Sequence, residues 1–241
     1  MLSSRAAFRI SFAAGLLVLA VTLLSATQGP VRPCGNLPQN YAPIIAFELA
    51  RSSADLDAIF GTTEPCRASV VERMDAINLV DVLVYIPAYG VFMAFCFLGL
   101  RMRHFAWATL GFRVAILAVI GDFAENLCLM SLTPELDPSS VWFALLPWAT
   151  GVKWLGLGAA AGIAAVVYLR SPGSSAWFWL AALVCAAAFL TTVGAIVEPA
   201  RFGAYVGLAV GLSWLMYLIN AGVGSFQGSA FHPGTGPIGM S

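Results

Sequence analysis

The sequence contains few charged residues. Of its 241 residues, 12 are Lys or Arg and 12 are Asp or Glu, which together form 10% of the chain and give a net charge of zero. A soluble domain usually carries about 25% charged residues, so this composition excludes a soluble globular domain. The chain also lacks the excess of basic residues that nucleic-acid binding requires, and it is too apolar to be disordered.

The sequence also contains only two histidines, His104 and His232, and both lie at or beyond the end of a predicted helix. A bis-histidine haem site inside a helical bundle, a histidine-based zinc site and a Ser-His-Asp triad therefore lack necessary residues. The glycine patterns of phosphate-binding and dinucleotide-binding loops are missing as well. We expect no catalytic residue set, no metal and no cofactor, and an enzyme is less expected than a protein without catalytic activity.

Long apolar runs dominate what is present. Hydrophobic residues make up 60% of the chain, and a helix that crosses a membrane needs roughly 20 mostly apolar residues. The pattern predicts an all-α integral membrane protein with a bundle of about six transmembrane helices, at residues 8–26, 79–100, 106–130, 141–168, 176–197 and 202–224. A loop with short helices fills residues 27–78. The tail, residues 225–241, is rich in Gly, Ser and Pro and is predicted to be disordered.

The first apolar segment has two interpretations. Arg5 and Arg9 precede an apolar core, and the small residues Ser25 and Ala26 follow it, as in a cleaved signal peptide. The segment is also long enough to remain as a signal anchor. We favour the retained helix, and the loop that follows lies on the same side of the membrane in either case.

Basic residues in the short loops predict the orientation. Cytoplasmic flanks of membrane helices are enriched in Lys and Arg. With the N-terminus inside, the short cytoplasmic loops and flanks contain Arg5, Arg9, Arg101, Arg103 and Arg170, whereas the short outer loops contain only Arg201. This places the loop at 27–78 outside a bacterial inner (plasma) membrane and both termini in the cytoplasm.

The positions of the cysteines agree with a loop that lies outside the cytoplasm. Cys34 and Cys66 both lie in the long loop, and two cysteines in an oxidising compartment usually pair. Closing a loop of about 30 residues would stabilise it by roughly 3–4 kcal/mol in the chain-entropy model. We therefore predict a structural disulfide between Cys34 and Cys66. Cys96, Cys128 and Cys185 lie inside predicted helices and are expected to be packing residues.

The long loop contains a predicted helical stretch at residues 43–60. Pro43 suits a first helical turn, and Ser53, Asp55 and Asp57 give a second helix-start signal. One interpretation, which we favour, is a helix that lies on the membrane surface or caps the bundle. The other is a lid over a site, with Glu48 directed inward.

The third predicted helix carries an acidic motif formed by Asp122, Glu125 and Asn126. At about 100° per residue, Glu125 and Asn126 lie within about 60° of Asp122, so the three share one face. That face continues through small residues at Gly111, Ala115 and Ala118. Small residues let helices approach closely, so the face is expected inside the bundle. Two carboxyls one turn apart repel each other, and one of them should hold a proton unless a cation compensates.

Lys153, near the middle of the fourth predicted helix, is the expected compensating cation. The third and fourth helices are joined by a short loop and should be antiparallel neighbours, which brings Lys153 to within about 6 Å of the depth of Asp122 at 1.5 Å per residue. Charges at bilayer depth are costly and are often functional, but small bundles also use them to fix helix packing. The group is therefore either a proton, cation or polar-ligand site or a structural network, and we favour the first.

Asp81, Tyr85 and Tyr89 are weaker candidates for the same site. Asp81, with Asn78 as N-cap, fits the first turn of the second predicted helix, where an acid suits the helix dipole. This structural interpretation is favoured. Tyr85 and Tyr89 follow on the same side of that helix, at the predicted depth of Asp122 and Glu125, and would extend a polar site.

Three functions remain open. The favoured one is a small transporter, or a membrane protein that binds an ion or polar ligand at the buried acidic and Lys residues. The first alternative is a non-catalytic subunit or assembly factor, which binds a membrane-protein partner through the outer loop. The second is an intramembrane enzyme that modifies lipids, with paired carboxyls as acid and base. The lipid bilayer is an expected partner in all three, and nucleic acid in none.

Overall fold

A computed structural model describes residues 2–38, 41–101, 104–171 and 176–226. These residues form helices and contain no strand. The helices are α1 (Ser4–Thr27), α2 (Pro43–Glu48), α3 (Ser53–Phe60), α4 (Cys66–Val80), α5 (Ile86–Leu100), α6 (Phe105–Leu132), α7 (Val141–Leu169), α8 (Ala176–Val197) and α9 (Pro199–Phe226). Arg103, His232 and most of the predicted disordered tail, residues 227–241, lie outside the described residues.

Within these ranges, six helical stretches are long and apolar enough to cross a membrane by length and composition. They are α1, the continuous stretch from α4 to α5, α6, α7, α8 and α9. Large apolar side chains on their outer faces are exposed, among them Leu183 (69%), Leu190 (66%) and Leu208 (66%). Apolar surface of this extent needs an apolar partner. The fold is therefore that of a multi-pass helical membrane protein, in agreement with the predicted bundle.

The helices pack mainly against their neighbours in the chain. α6 packs on α7, α7 on α8 and α8 on α9, and α1 closes the bundle by packing on both α5 and α9. α6 and α7 are neighbours, as predicted, and they approach closely where small residues meet. A Cβ atom added to Gly156 would lie 2.8 Å from the Cβ atom of Ala118. The small-residue face of α6 is buried, as expected from its composition.

The second apolar helix begins earlier than predicted. It starts at Cys66 rather than near residue 79, and it continues through a π-helical turn, Asp81–Tyr85, to Leu100. The interpretation of Asn78 and Asp81 as a helix start is therefore wrong, because both lie inside the continuous helix. Pro87 has no N–H and its ring crowds the carbonyl four residues earlier, which accounts for the wider turn. The sequence of α4 is too polar to resemble a spanning segment.

Residues 28–38 and 41–65, here called the capping segment, cover one end of the bundle. The disulfide between Cys34 and Cys66 is present, so that prediction is confirmed. The predicted stretch 43–60 is two helices, α2 and α3. The break follows from the second start signal, because Ser52 and Asp55 form a reciprocal capping box at the start of α3. Phe47 and Phe60 meet edge to face at 4.9 Å, in a hydrophobic cluster that includes residues of α4, α6 and α7.

Candidate functional site

Lys153 lies at the centre of a buried group of charges. It projects from α7 and is only 7% exposed. Its Nζ lies 3.0 Å from Oε1 of Glu48 and 3.1 Å from Oδ1 of Asp122, and it also pairs with Oε2 of Glu125. We call these four residues the charge cluster. The structure thus brings Lys153 together with Asp122 and Glu125, as the sequence predicted.

The close packing of α6 and α7 positions the cluster. Asp122 and Glu125 lie one turn apart on the buried face of α6. Directly before them is Gly121, where an added Cβ atom would lie 2.6 Å from the backbone nitrogen of Lys153. Only a glycine lets the two backbones come this close. The contact places the base of the lysine side chain beside the two carboxyls, so the ammonium group reaches both.

Asp122 is held by donors from three helices. The hydroxyl of Tyr89 on α5 donates to Oδ2 at 2.7 Å. Nδ2 of Asn126, one turn along α6, donates to Oδ1 at 3.0 Å. With the ammonium of Lys153 on α7, three donors surround one carboxyl group. Hydrogen bonds from donors that converge in this way fix the position of the carboxyl group. Tyr89 and Asn126, two of the candidate residues from the sequence, thus contact the charge cluster through Asp122.

Glu48 completes the cluster from outside the bundle. It ends α2 in the capping segment and is 4% exposed. Nε1 of Trp154 donates to its Oε2 at 3.0 Å, and the hydroxyl of Thr150 donates to its backbone carbonyl at 2.9 Å. The inward direction of Glu48 agrees with the lid interpretation, which the sequence analysis did not favour. The available signal was an acid between two apolar residues, Phe47 and Leu49, in an otherwise apolar helix.

Burial has a clear electrostatic effect on Glu48. Loss of solvent raises the pKa of this carboxyl above its ordinary value of 4.5. The ammonium of Lys153 opposes the rise, and the negative charge of Asp122 adds to it. Burial is the largest of these effects, so the net result is a raised pKa. Glu48 therefore holds its proton more readily in the folded protein than in the unfolded chain.

The charges of the cluster do not balance. Three carboxyls surround one ammonium group, which leaves an excess of two negative charges if all are ionised. Oε1 of Glu125 and Oδ1 of Asn126 are also buried without a hydrogen-bond donor among the described residues. Excess negative charge in a site of low polarity favours the uptake of protons. In the part of the chain that the structure describes, no group of three or more His, Cys, Asp or Glu could hold a metal ion.

Asp81 and Tyr85 lie beside the site rather than in it. The ring of Tyr85 packs against those of Tyr89 and Trp214, and its hydroxyl accepts a 3.4 Å hydrogen bond from Thr22 of α1. Asp81 is half-buried and lies within electrostatic range of Lys153. The structure does not bring either side chain into direct contact with the charge cluster.

The cluster is closed on both sides. The capping segment covers it through Glu48. On the opposite side, the ring of Tyr89 stacks on Trp214 at 5.0 Å, and Trp214 meets Phe92 edge to face at 6.4 Å. We call these three residues the aromatic layer. Two surface cavities, of about 380 and 290 Å³, lie elsewhere: one beside α4 and one at the α6–α7 connection.

Compared with known proteins, the chain matches no family model, and no curated protein or solved structure is significantly similar to it.

Proposed function

We propose that this protein is a small proton-coupled membrane carrier whose charge cluster takes up and releases protons. The observation that carries the proposal is the unbalanced, fully buried group of three carboxyls around Lys153. Burying charge within a membrane costs several kcal/mol, and well-packed apolar residues often stabilise a protein core as well as a buried ion pair does. A structural role alone gives no reason for two surplus carboxyls, whereas reversible protonation does.

The capping segment supplies the gate in this proposal. Glu48 belongs to a short helix that does not span the bundle, yet it reaches Lys153 at 3.0 Å. Because burial raises the pKa of Glu48, the closed state disfavours its ionised form. Loss of the proton from Glu48 would add to the negative excess of the cluster, and α2 could then move away and open the cluster on the capped side. The aromatic layer keeps the other side closed meanwhile. The structure corresponds to a state closed on both sides.

We further propose that the capped side faces the outside of a bacterial inner membrane, with both termini in the cytoplasm and α1 retained. The positive residues of the short loops support this orientation, as does the disulfide. Single cysteines at Arg32, in the capping segment, and at Arg170, after α7, would test it. A membrane-impermeant maleimide should label Arg32→Cys in intact cells and Arg170→Cys only after lysis. The reverse pattern would overturn the orientation.

Proton binding can be measured on the purified protein in lipid nanodiscs. After a rapid pH change, a soluble pH-sensitive dye should report protons taken up by the wild type. Glu125→Gln, which keeps the size of the side chain, should lose at least one of these protons and keep the helical content. Glu198→Gln is the control, because Glu198 forms an exposed pair with Arg201 at 3.7 Å. Equal proton uptake by the wild type and Glu125→Gln would refute the proposal.

A second candidate is a non-catalytic subunit or assembly factor that docks a partner through the capping segment. The closed cluster favours it, and so does the position of the larger cavity on the capping segment and α4, lined by Arg32, Glu72 and Arg73. Cross-linking in native membranes would separate the two functions. A partner whose capture needs Arg73 but not Glu125 supports the subunit role. Proton uptake that depends on Glu125, without a cross-linked partner, supports the carrier.

A further inference from the structure

A second group of polar side chains lies in the half of the bundle away from the capping segment. It consists of Cys96 on α5, Tyr168 on α7, Cys185 on α8 and Tyr217 on α9, and we call it the thiol–phenol chamber. All four residues are at most 1% exposed. Tyr168 follows Lys153 by 15 positions on the same helix, which separates their Cα atoms by about 22 Å along the helix axis.

The side chains of the chamber converge from different helices. The ring of Tyr217 lies 6.2 Å from that of Phe92 and 6.0 Å from that of Phe97, so it is level with Cys96 on α5. Tyr168 belongs to the same buried cluster as both thiols and Tyr217. On the side of α1, the hydroxyl of Ser11 donates to the carbonyl of Phe92 at 2.9 Å. The chamber is therefore a polar centre enclosed by the bundle.

The two phenol hydroxyls of the chamber have unused hydrogen-bonding capacity. The hydroxyls of Tyr168 and Tyr217 are fully buried and reach no hydrogen-bond partner among the described residues. A buried Tyr hydroxyl usually finds a partner, because leaving it unpaired costs its lost hydration. Two such groups in one enclosed centre, beside two weakly polar thiols, point to a shared partner that both donates and accepts hydrogen bonds.

We propose that the thiol–phenol chamber binds ordered water, which bridges the hydroxyls of Tyr168 and Tyr217. Buried water typically makes about three hydrogen bonds to polar groups that would otherwise be unpaired. The next step rests on the proposed carrier function. In that carrier, protons released from the charge cluster would bind next in the chamber, on the far side of the aromatic layer. Protons would reach it only when that layer opens.

Replacing each tyrosine by phenylalanine tests the water site by the direction of a melting-temperature shift. If water bridges the hydroxyls, Tyr168→Phe and Tyr217→Phe each remove a satisfied hydrogen bond and should lower the melting temperature by about 2–4 °C. If the hydroxyls are unpaired, the same changes remove a penalty and raise it. Tyr205→Phe is the control, because Tyr205 lies on α9 and is 55% exposed. An unchanged or higher melting temperature in both chamber variants overturns the proposal.

Infrared spectroscopy gives a second measurement that does not depend on the tyrosine variants. The S–H stretching bands of Cys96 and Cys185 in the wild type should shift when the protein is transferred to D2O, because bound water exchanges with solvent and deuterates the thiols. Cys96→Ala and Cys185→Ala assign the bands. If the thiols stay protonated in D2O, the proposed water site is wrong, whereas the proton uptake that depends on Glu125 is not affected by this result. If the thiols exchange but no proton uptake depends on Glu125, the carrier proposal is wrong and the water site stands.

Discussion

Lys153 and Glu48 lie 105 positions apart in the sequence, yet Nζ of the lysine is 3.0 Å from Oε1 of the glutamate. One residue belongs to the long helix α7 and the other to the capping segment. The pair is therefore a direct electrostatic link between the capping segment and the centre of the bundle. A change in the charge of either residue should alter both the stability of the bundle and the docking of α2.

Replacing Lys153 by Met should be severely destabilising. The change leaves up to three carboxyls in a buried site without their cation, and removal of one partner from a buried ion pair usually costs about 3–5 kcal/mol. Unfolding in mixed detergent micelles, followed by the loss of helical circular dichroism, measures the difference in the free energy of unfolding.

Arg201→Met is the matched control for that experiment. Arg201 pairs with Glu198 at 3.7 Å, but its side chain is 73% exposed, and exposed pairs of this kind contribute about 0–1 kcal/mol. The control should therefore unfold almost as the wild type does. If Lys153→Met costs no more than the control, the cluster is not an energetic centre of the fold.

Removing a carboxyl from the cluster should be much milder than removing the lysine. Glu48→Gln reduces the negative excess, keeps the side-chain volume and resembles the protonated acid. Its effect should depend on pH because burial raises the pKa of Glu48. As the pH rises, Glu48 ionises in the unfolded chain at a lower pH than in the folded protein. The stability that the protonated carboxyl contributes is therefore complete below about pH 4.5 and is lost as the pH rises through the folded pKa.

The expected result is that Glu48→Gln gains stability relative to the wild type as the pH rises. Melting temperatures of both proteins, measured from pH 4 to pH 8 in roughly unit steps, test the sign. Asp57→Asn, which removes an exposed carboxyl of the neighbouring helix α3, is the control. A difference between Glu48→Gln and the wild type that narrows or reverses toward high pH would contradict a raised pKa at Glu48.

Helix positions and the central ion pairs were predictable from the sequence, because apolar runs and helical spacing are local properties. The shared face of Asp122 and Glu125 follows from helix geometry, and the short α6–α7 connection brings Lys153 to the same level. The sequence offered an inward direction for Glu48 only as the less favoured interpretation, and it did not relate Glu48 to Lys153. The position of Glu48 depends on how the capping segment packs on the ends of α6 and α7, and no spacing rule relates residues so distant in the chain.

The early start of the second long helix was missed for a different reason. Residues 66–78 are polar on several sides because they extend beyond the apolar part of the bundle, so their sequence resembles a loop. Asn78 and Asp81 are good helix-start residues but lie inside a helix that was already formed. The π-helical turn likewise depends on the tolerance of the surrounding helices for Pro87, which the sequence of a single segment does not reveal.

Loss of the disulfide between Cys34 and Cys66 should loosen the capping segment. The two cysteines are 32 positions apart, and a crosslink of that span stabilises by roughly 3–4 kcal/mol in the chain-entropy model. In Cys34→Ser/Cys66→Ser, trypsin should cleave after Arg51 roughly 100- to 1,000-fold faster than in the wild type, since each 1.4 kcal/mol is about a tenfold change in the open population. A reductant should accelerate cleavage of the wild type and not of the variant.

The closest approach of α6 and α7 can be tested with two glycine-to-alanine substitutions. A Cβ atom at Gly121 would lie 2.6 Å from the backbone nitrogen of Lys153, whereas a Cβ atom at Gly151, on α7, meets nothing within 4 Å. Gly121→Ala must therefore push the helices apart beside the charge cluster and should cost about 1–3 kcal/mol, as overpacking does. Gly151→Ala should be neutral or stabilising by up to about 1 kcal/mol, because alanine favours helix. Equal free energies of unfolding for the two variants would show that the packing at Gly121 does not position Lys153.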